Sequence, residues 1–191
     1  ETLPAPPSKP TNVFIDVSSS KTVLINWQSP IDENGHIINY EYYLESGDVT
    51  SSENITIPVL TNQQYTYQLN NLNPFTNYTL KIRAVTNYHL GLFSDIVSFT
   101  TFQDIPSEPI NLNVLNTTHQ SAQLSWDIPS PSNGIINNYQ YRIYNSDGSI
   151  NQEGLTSSRT ILINQLSPFT DYQFSVAAFT IIGRGNYSNN Y

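Results

Sequence analysis

The sequence has no cysteine, no methionine, only seven Lys and Arg among 191 residues, and no long apolar run. Without cysteine there can be no disulfide scaffold, no thiolate metal ligand and no cysteine nucleophile, so each domain has to be held by its core alone. Seven cations against 15 Asp and Glu leave a net charge of −8, which argues against binding nucleic-acid phosphates or an anionic membrane surface. No segment reaches the roughly 18 apolar residues of a membrane span. The N-terminus, ETLPAPPSKP, has neither a basic n-region nor an apolar h-region. With no Met at position 1, the chain is expected to begin inside something larger. What is present points to a folded protein: hydrophobic residues make up 38%, and aromatics 12%, with 13 Tyr against 2 Trp.

An internal repeat sets the domain organisation. Pro10, Trp27, Pro30, Asn34, Gly35, Tyr40 and Tyr42 return 99 positions later as Pro109, Trp126, Pro129, Asn133, Gly134, Tyr139 and Tyr141. Leu72, Pro74, Phe75, Thr76, Tyr78 and Ala84 return 94 positions later as Leu166, Pro168, Phe169, Thr170, Tyr172 and Ala178. Constant spacing of unlike residues on both sides of one five-residue deletion means two copies of one domain. The expected division is an upstream linker at 1–9, a first domain at 10–101, a linker at 102–108 and a second domain at 109–191 with a truncated last strand. Pro7-Ser-Lys-Pro10 and Pro106-Ser-Glu-Pro109 occupy equivalent places, and proline biases such joints toward extended, semi-rigid spacers.

Within each copy the apolar residues alternate with period two, as in Val23, Ile25 and Trp27, in Tyr78, Leu80, Ile82 and Ala84, and in Tyr172, Phe174, Val176 and Ala178. No window carries a helical stripe. Short strands separated by turn clusters such as SSSK at 18–21, PIDENG at 30–35 and PSPSNG at 129–134 predict an all-β protein of two antiparallel β-sandwiches with seven strands each.

Trp27, Pro30 and Tyr40-x-Tyr42, followed by Leu72-Asn-Pro74-Phe-Thr76-Asn-Tyr78 and Ala84, resemble a fibronectin type III domain. Trp126, Pro129, Tyr139-x-Tyr141 and Leu166-Ser-Pro168-Phe-Thr170-Asp-Tyr172 repeat the resemblance across the rest of the chain. It implies structural roles for Trp27, Tyr78, Trp126 and Tyr172, with each tyrosine turning its hydroxyl back onto the preceding loop as a tyrosine corner. It also implies that Ile181 and Ile182 lie in a loop that packs against the neighbouring domain. The matching apolar loop, with Tyr88, Leu90, Leu92 and Phe93, would meet an upstream domain or a ligand.

Catalysis finds no foothold. His36, His89 and His119 fall in different loops with no triad or metal spacing, and the acidic residues Asp32, Glu33, Glu41, Glu45, Asp48 and Glu53 form no calcium loop. The sequence thus predicts no catalytic site, no cofactor and no metal, and reads Gly91, Gly183 and Gly185 as hairpin punctuation. Neither Arg-Gly-Asp nor Trp-Ser-x-Trp-Ser is present. Four sequons, at Asn54, Asn77, Asn116 and Asn186, are candidate glycosylation sites. With 23 Asn, and 40 Ser and Thr in 191 residues, chance gives about 4.8 sequons, so position counts for more than number. Asn77 is expected on the strand that carries Tyr78, facing solvent, and Asn116 in the turn after the first strand of the second copy.

The resemblance implies a non-enzymatic interaction and spacer segment in the ectodomain of a single-pass cell-surface receptor or adhesion protein. It would bind a protein ligand or a homophilic partner, with neighbouring domains upstream and downstream and no contact of its own with nucleic acid or membrane. A spacer in a secreted carbohydrate-active enzyme and an intracellular cytoskeletal array are the alternatives.

Overall fold

Side chains in a strand alternate between faces, so a period-two apolar pattern commits one face to a core. The computed structural model describes residues 5–47, 49–55 and 64–191, and forms this pattern into fourteen strands, with no helix among the described residues. The chain divides into two compact units, Glu1–Phe102 and Gln103–Tyr191.

In the first unit β1 (Thr11–Val17), β2 (Val23–Gln28) and β5 (Gln64–Leu69) form a three-stranded sheet in the order β1-β2-β5. β3 (Ile37–Ser46), β4 (Val49–Ile55), β6 (Asn77–Thr86) and β7 (Val97–Thr100) form the other, in the order β4-β3-β6-β7. The second unit repeats the plan: β8 (Ile110–Thr117), β9 (Ala122–Asp127) and β12 (Thr160–Ile163) in the order β12-β9-β8, and β10 (Asn138–Asn145), β11 (Ile150–Thr156), β13 (Tyr172–Phe179) and β14 (Arg184–Tyr187) in the order β11-β10-β13-β14. Every pairing is antiparallel.

The predicted inward residues fill the cores. Val23, Ile25, Trp27, Tyr40, Tyr42, Leu80, Ile82 and Ala84 are buried together in the first unit, and Leu124, Trp126, Tyr139, Ile143, Phe174, Val176 and Ala178 in the second. In the first core the rings of Trp27, Tyr40 and Tyr65 make a triad, with centroids 5.1 to 5.5 Å apart. The second keeps only Trp126 against Tyr139 at 5.6 Å. Arg159, at the place equivalent to Tyr65, is exposed, and its carbonyl accepts the Trp126 amide at 3.1 Å.

Turn geometry repeats more faithfully than core composition. Among the described residues, the non-glycine ones with left-handed φ are Asn12, Asn34, Asn71 and Phe75 in the first unit and Asn111, Asn133, Gln165 and Phe169 in the second. Each lies 99 or 94 positions from its counterpart. Asparagine tolerates this region because its short amide bonds locally. Asn12 and Asn111 sit where the β1–β2 and β8–β9 registers slip, and each donates its side-chain amide across to the end of the partner strand, to Gln28 and Asp127.

Three expectations need correction. The proline-led segments read as spacers are tied down, with Pro7 and Pro106 buried. Ser8 N donates to Asp32 O (2.8 Å), Leu92 N to Pro7 O (3.1 Å) and Asn34 Nδ2 to Pro6 O (2.9 Å). In the second unit Asp104 N donates to Asn133 O (2.8 Å), Asn133 Nδ2 to Ile105 O (2.9 Å) and Ser107 Oγ to Pro131 O (2.7 Å). Gly91 and Gly185 serve this close approach: a Cβ on Gly91 would stand 3.0 Å from Pro7, and one on Gly185 would collide with the Pro106 carbonyl. Only Gly183, at φ 156°, does the turn work first assigned to all three. Asn116, expected in a turn, lies near the end of β8 opposite Gln123, because the turn begins only where Thr118 N bonds Ser121 O.

The last strand also differs between the units. In the first, pairing with β6 runs from the Val85–Leu90 bridge to Thr100 opposite Asn77. In the second, β14 matches the early part of that stretch, and pairing with β13 ends where Phe174 and Tyr191 exchange backbone hydrogen bonds at 2.9 and 3.1 Å.

Candidate interaction surface

The outer face of each four-stranded sheet carries a cation–aromatic stack. In the first unit Tyr43 points outward from β3, and Lys81 and Arg83 from β6, because Tyr42, Ile82 and Ala84 beside them face the core. The Phe93 ring lies among them, with the Lys81 ammonium 4.7 Å and the Arg83 guanidinium 4.4 Å from its centroid, and Tyr43 edge-on at 5.2 Å. Arg83 Nε and Nη2 also donate to one carboxylate oxygen of Glu41 at 2.6 and 2.5 Å, with both side chains only 16–17% exposed. A charge pair this shielded is costly to break from one side.

The second unit builds the same object from other positions. Tyr187 takes the place of Phe93, and the cations are Arg142 on β10 and Arg184 on β14, 4.6 and 4.9 Å from its centroid. Arg142 pairs with Glu153 at 2.9 Å, and that bond holds its guanidinium above the ordinary arginine range. Burial pushes the Tyr187 hydroxyl up, with Arg142 and Arg184 opposing. The residue after each ring is a buried serine that locks the strand. Ser94 Oγ accepts Ile82 N (3.1 Å) while Ser94 N donates to Ile82 O (2.8 Å), and Ser188 does the same with Val176 at 3.0 and 2.8 Å. Sequence reading missed these stacks. The usable signal was the aromatic–serine pair at 93–94 and 187–188, offset by 94.

The tyrosine hydroxyls turn back as their motif implies. Tyr78 OH accepts Asn73 N at 2.8 Å and Tyr172 OH accepts Ser167 N at 3.0 Å. Thr76 and Thr170 each donate to the proline carbonyl two residues before, closing the turn. Tyr78 stacks on Phe99 at 5.4 Å. Tyr172 instead lines an open groove with Leu166, Phe169, Phe174 and Tyr191.

A model of the fibronectin type III domain matches residues 8–100 and again residues 106–191. The chain belongs to the fibronectin type III family. Over 97% of its length it is similar to netrin receptor DCC of Mus musculus, 31% identical, covering 13% of that protein. Over 94% it is similar to neogenin of Homo sapiens, 29% identical over 12% of it, and to the human phosphatidylinositol phosphatase PTPRQ, 33% identical over 7% of it. The chain thus spans a small part of the length of these relatives.

In the first fibronectin type III domain, the segment between β6 and β7 leaves Tyr88, Leu90 and Leu92 at 65%, 54% and 65% exposure, and Ile31 in the β2–β3 loop at 84%. Phe93, grouped with them by sequence, lies on the sheet face beside Lys81 and Arg83. In the second domain Ile181 and Ile182 stand exposed in the β13–β14 turn. Asn77, Asn116 and Asn186 are exposed on β6, β8 and β14, whereas the side chain of Asn54, in β4, lies outside the described residues. His36 and His119 are exposed, His89 is half-buried, and no group of three metal-ligating side chains comes together among the described residues.

Proposed function

We propose that this chain is a non-enzymatic recognition and spacer segment of the ectodomain of a single-pass cell-surface receptor or adhesion protein, and that it binds protein: a ligand or a second copy. The observation that carries the reading is similarity along nearly the whole chain, both domains together, to a netrin receptor. The surface chemistry agrees with it. Exposed apolar side chains at Ile31, Tyr88, Leu90 and Leu92 gather on neighbouring loops of one domain, the kind of anchor around which protein interfaces concentrate their energy. We assign Ile181 and Ile182 to packing against a neighbouring domain, and Asn54, Asn77, Asn116 and Asn186 to glycan attachment.

Expression in secretory cells tests the location: Asn77→Gln is expected to lose the mass of one glycan, and a full-length product carrying no glycan at all sinks the extracellular reading. Bead aggregation with the chain displayed on the bead tests the homophilic arm. If Tyr88→Asp with Leu90→Asp leaves both bead aggregation and binding of the beads to cells unchanged, those residues are not the anchor. Ile181→Asp with Ile182→Asp should broaden the distance distribution in solution scattering, and an unchanged distribution refutes that assignment.

A further inference from the structure

We propose that Asn34 is a spontaneous deamidation site that unties the strap of the first domain, while its counterpart Asn133 is protected. Both asparagines precede glycine, both hold left-handed φ, at 49° and 53°, and both donate Nδ2–H at 2.9 Å to the strap carbonyl they clamp, Pro6 O and Ile105 O. The two sites therefore match in sequence and clamp, and differ only in what restrains them.

The reaction begins when the amide nitrogen of Gly35 attacks Asn34 Cγ. The N–Cγ bond forms, the Cγ–Nδ2 bond breaks, and Nδ2 leaves as ammonia with the Gly35 amide proton, giving a five-membered succinimide. Solvent water then opens either ring carbonyl, yielding aspartate or isoaspartate and releasing a proton. Glycine favours the attack because no side chain shields its nitrogen. The asparagine must first leave its left-handed conformation, which rotates its own carbonyl and the following amide.

Among the described residues nothing obstructs that rotation at Asn34. Asn34 and Gly35 are both exposed, no donor among the described residues meets the Asn34 carbonyl, and the nearest described atom to a Cβ at Gly35 would be Thr86 Cγ2 at 3.8 Å. At Asn133 it is blocked twice. The Asn133 carbonyl accepts Asp104 N at 2.8 Å, and Gly134 is buried under Gln103 and Thr180, with Gln103 Oε1 itself accepting Ile135 N at 2.9 Å. The product at Asn34 has no donor left for Pro6 O. It sets a carboxylate against that carbonyl, and the isoaspartate form adds a backbone methylene to the β2–β3 loop. The Ser8 and Leu92 bonds and the Lys9–Asp95 ion pair are then what holds the strap among the described residues.

The test incubates the folded 191-residue chain at neutral pH and body temperature, then maps peptides by mass spectrometry with enzymatic methylation of isoaspartate as the second readout. Conversion at Asn34 is expected to outrun conversion at Asn133 by about tenfold, the factor carried by one hydrogen bond, and the two rates should converge in denaturant. Matching rates in the folded chain, or no conversion at Asn34 while the denatured chain converts, overturn the proposal. In Asn34→Asp, hydrogen exchange at Ser8 and Leu92 should quicken by about tenfold. Wild-type exchange there would show that the strap does not depend on the clamp.

Discussion

Tyr78→Phe and Tyr172→Phe remove the same hydroxyl from equivalent corners, yet the structure assigns them unequal costs. In the first domain the hydroxyl takes the Asn73 amide at 2.8 Å in a partly buried setting, beneath a ring that is 6% exposed and stacked on Phe99. Losing it leaves the Asn73 amide facing a buried ring, which costs about 1.5–2 kcal/mol, or roughly a 10- to 30-fold change in the unfolding equilibrium. In the second domain the Ser167 amide is exposed and the Tyr172 ring is only half-buried. Water can replace the hydroxyl there, so the loss should be about 0.5 kcal/mol. Two domains do not share one two-state transition, so a local probe is needed. Hydrogen exchange in graded denaturant supplies it, with Leu80 and Ile82 amides reporting the first domain and Phe174 and Val176 amides the second. Equal losses, or a larger one for Tyr172→Phe, would refute the claim that burial of the tyrosine sets the cost.

The same exchange assay checks three further expectations. Glu41→Gln, which leaves Arg83 shielded without its partner, should destabilise the first domain by about 1–3 kcal/mol, whereas Glu153→Gln, whose carboxylate side chain is 48% exposed, should cost at most about 1 kcal/mol. Phe93→Ala should speed exchange of the Ile82 amide more than that of buried β2 amides, because the ring braces the strand on which Ser94 sits; uniform acceleration would show only global destabilisation. Burial holds the Tyr40 hydroxyl well above its ordinary value, with the Ser29 hydrogen bond opposing. Folded-state protonation is therefore retained after unfolded tyrosine begins to ionise near pH 10, so the first domain should lose about 1.4 kcal/mol per pH unit above that point. Below it this contribution is fully present. Tyr40→Phe should flatten the slope, and an unchanged alkaline slope would exclude Tyr40 as its source.

How much was legible in the sequence follows the range of each interaction. The strands and the tyrosine corners could be read because period-two burial and Leu-x-Pro-x-Thr-x-Tyr are local patterns that occur twice. The cation–aromatic stacks could not, because the two copies place their cations on different strands: Arg83 on β6 and Arg142 on β10. Comparing copies position by position sets Arg83 against Ala177 and hides the equivalence. The proline segments misled for a related reason. Proline announces an extended backbone, but whether that backbone is free or strapped depends on Asn34 and Asn133, 28 residues further along. Asn116 was placed one turn late because nothing in Asn-Thr-Thr marks where pairing stops.

The paired left-handed residues carry a consequence for engineering. Asn12, Asn34, Asn71 and Phe75 mark points where the two copies share a backbone conformation whatever side chains lie between, so they divide each domain into interchangeable cassettes. A chimera that takes residues 34–71 from the first domain into the frame of 133–165 meets matching φ at both seams, 49° against 53° and 61° against 62°. Loop recombination in this chain therefore has natural joints, and they are written in backbone torsions rather than in the hydrophobic core.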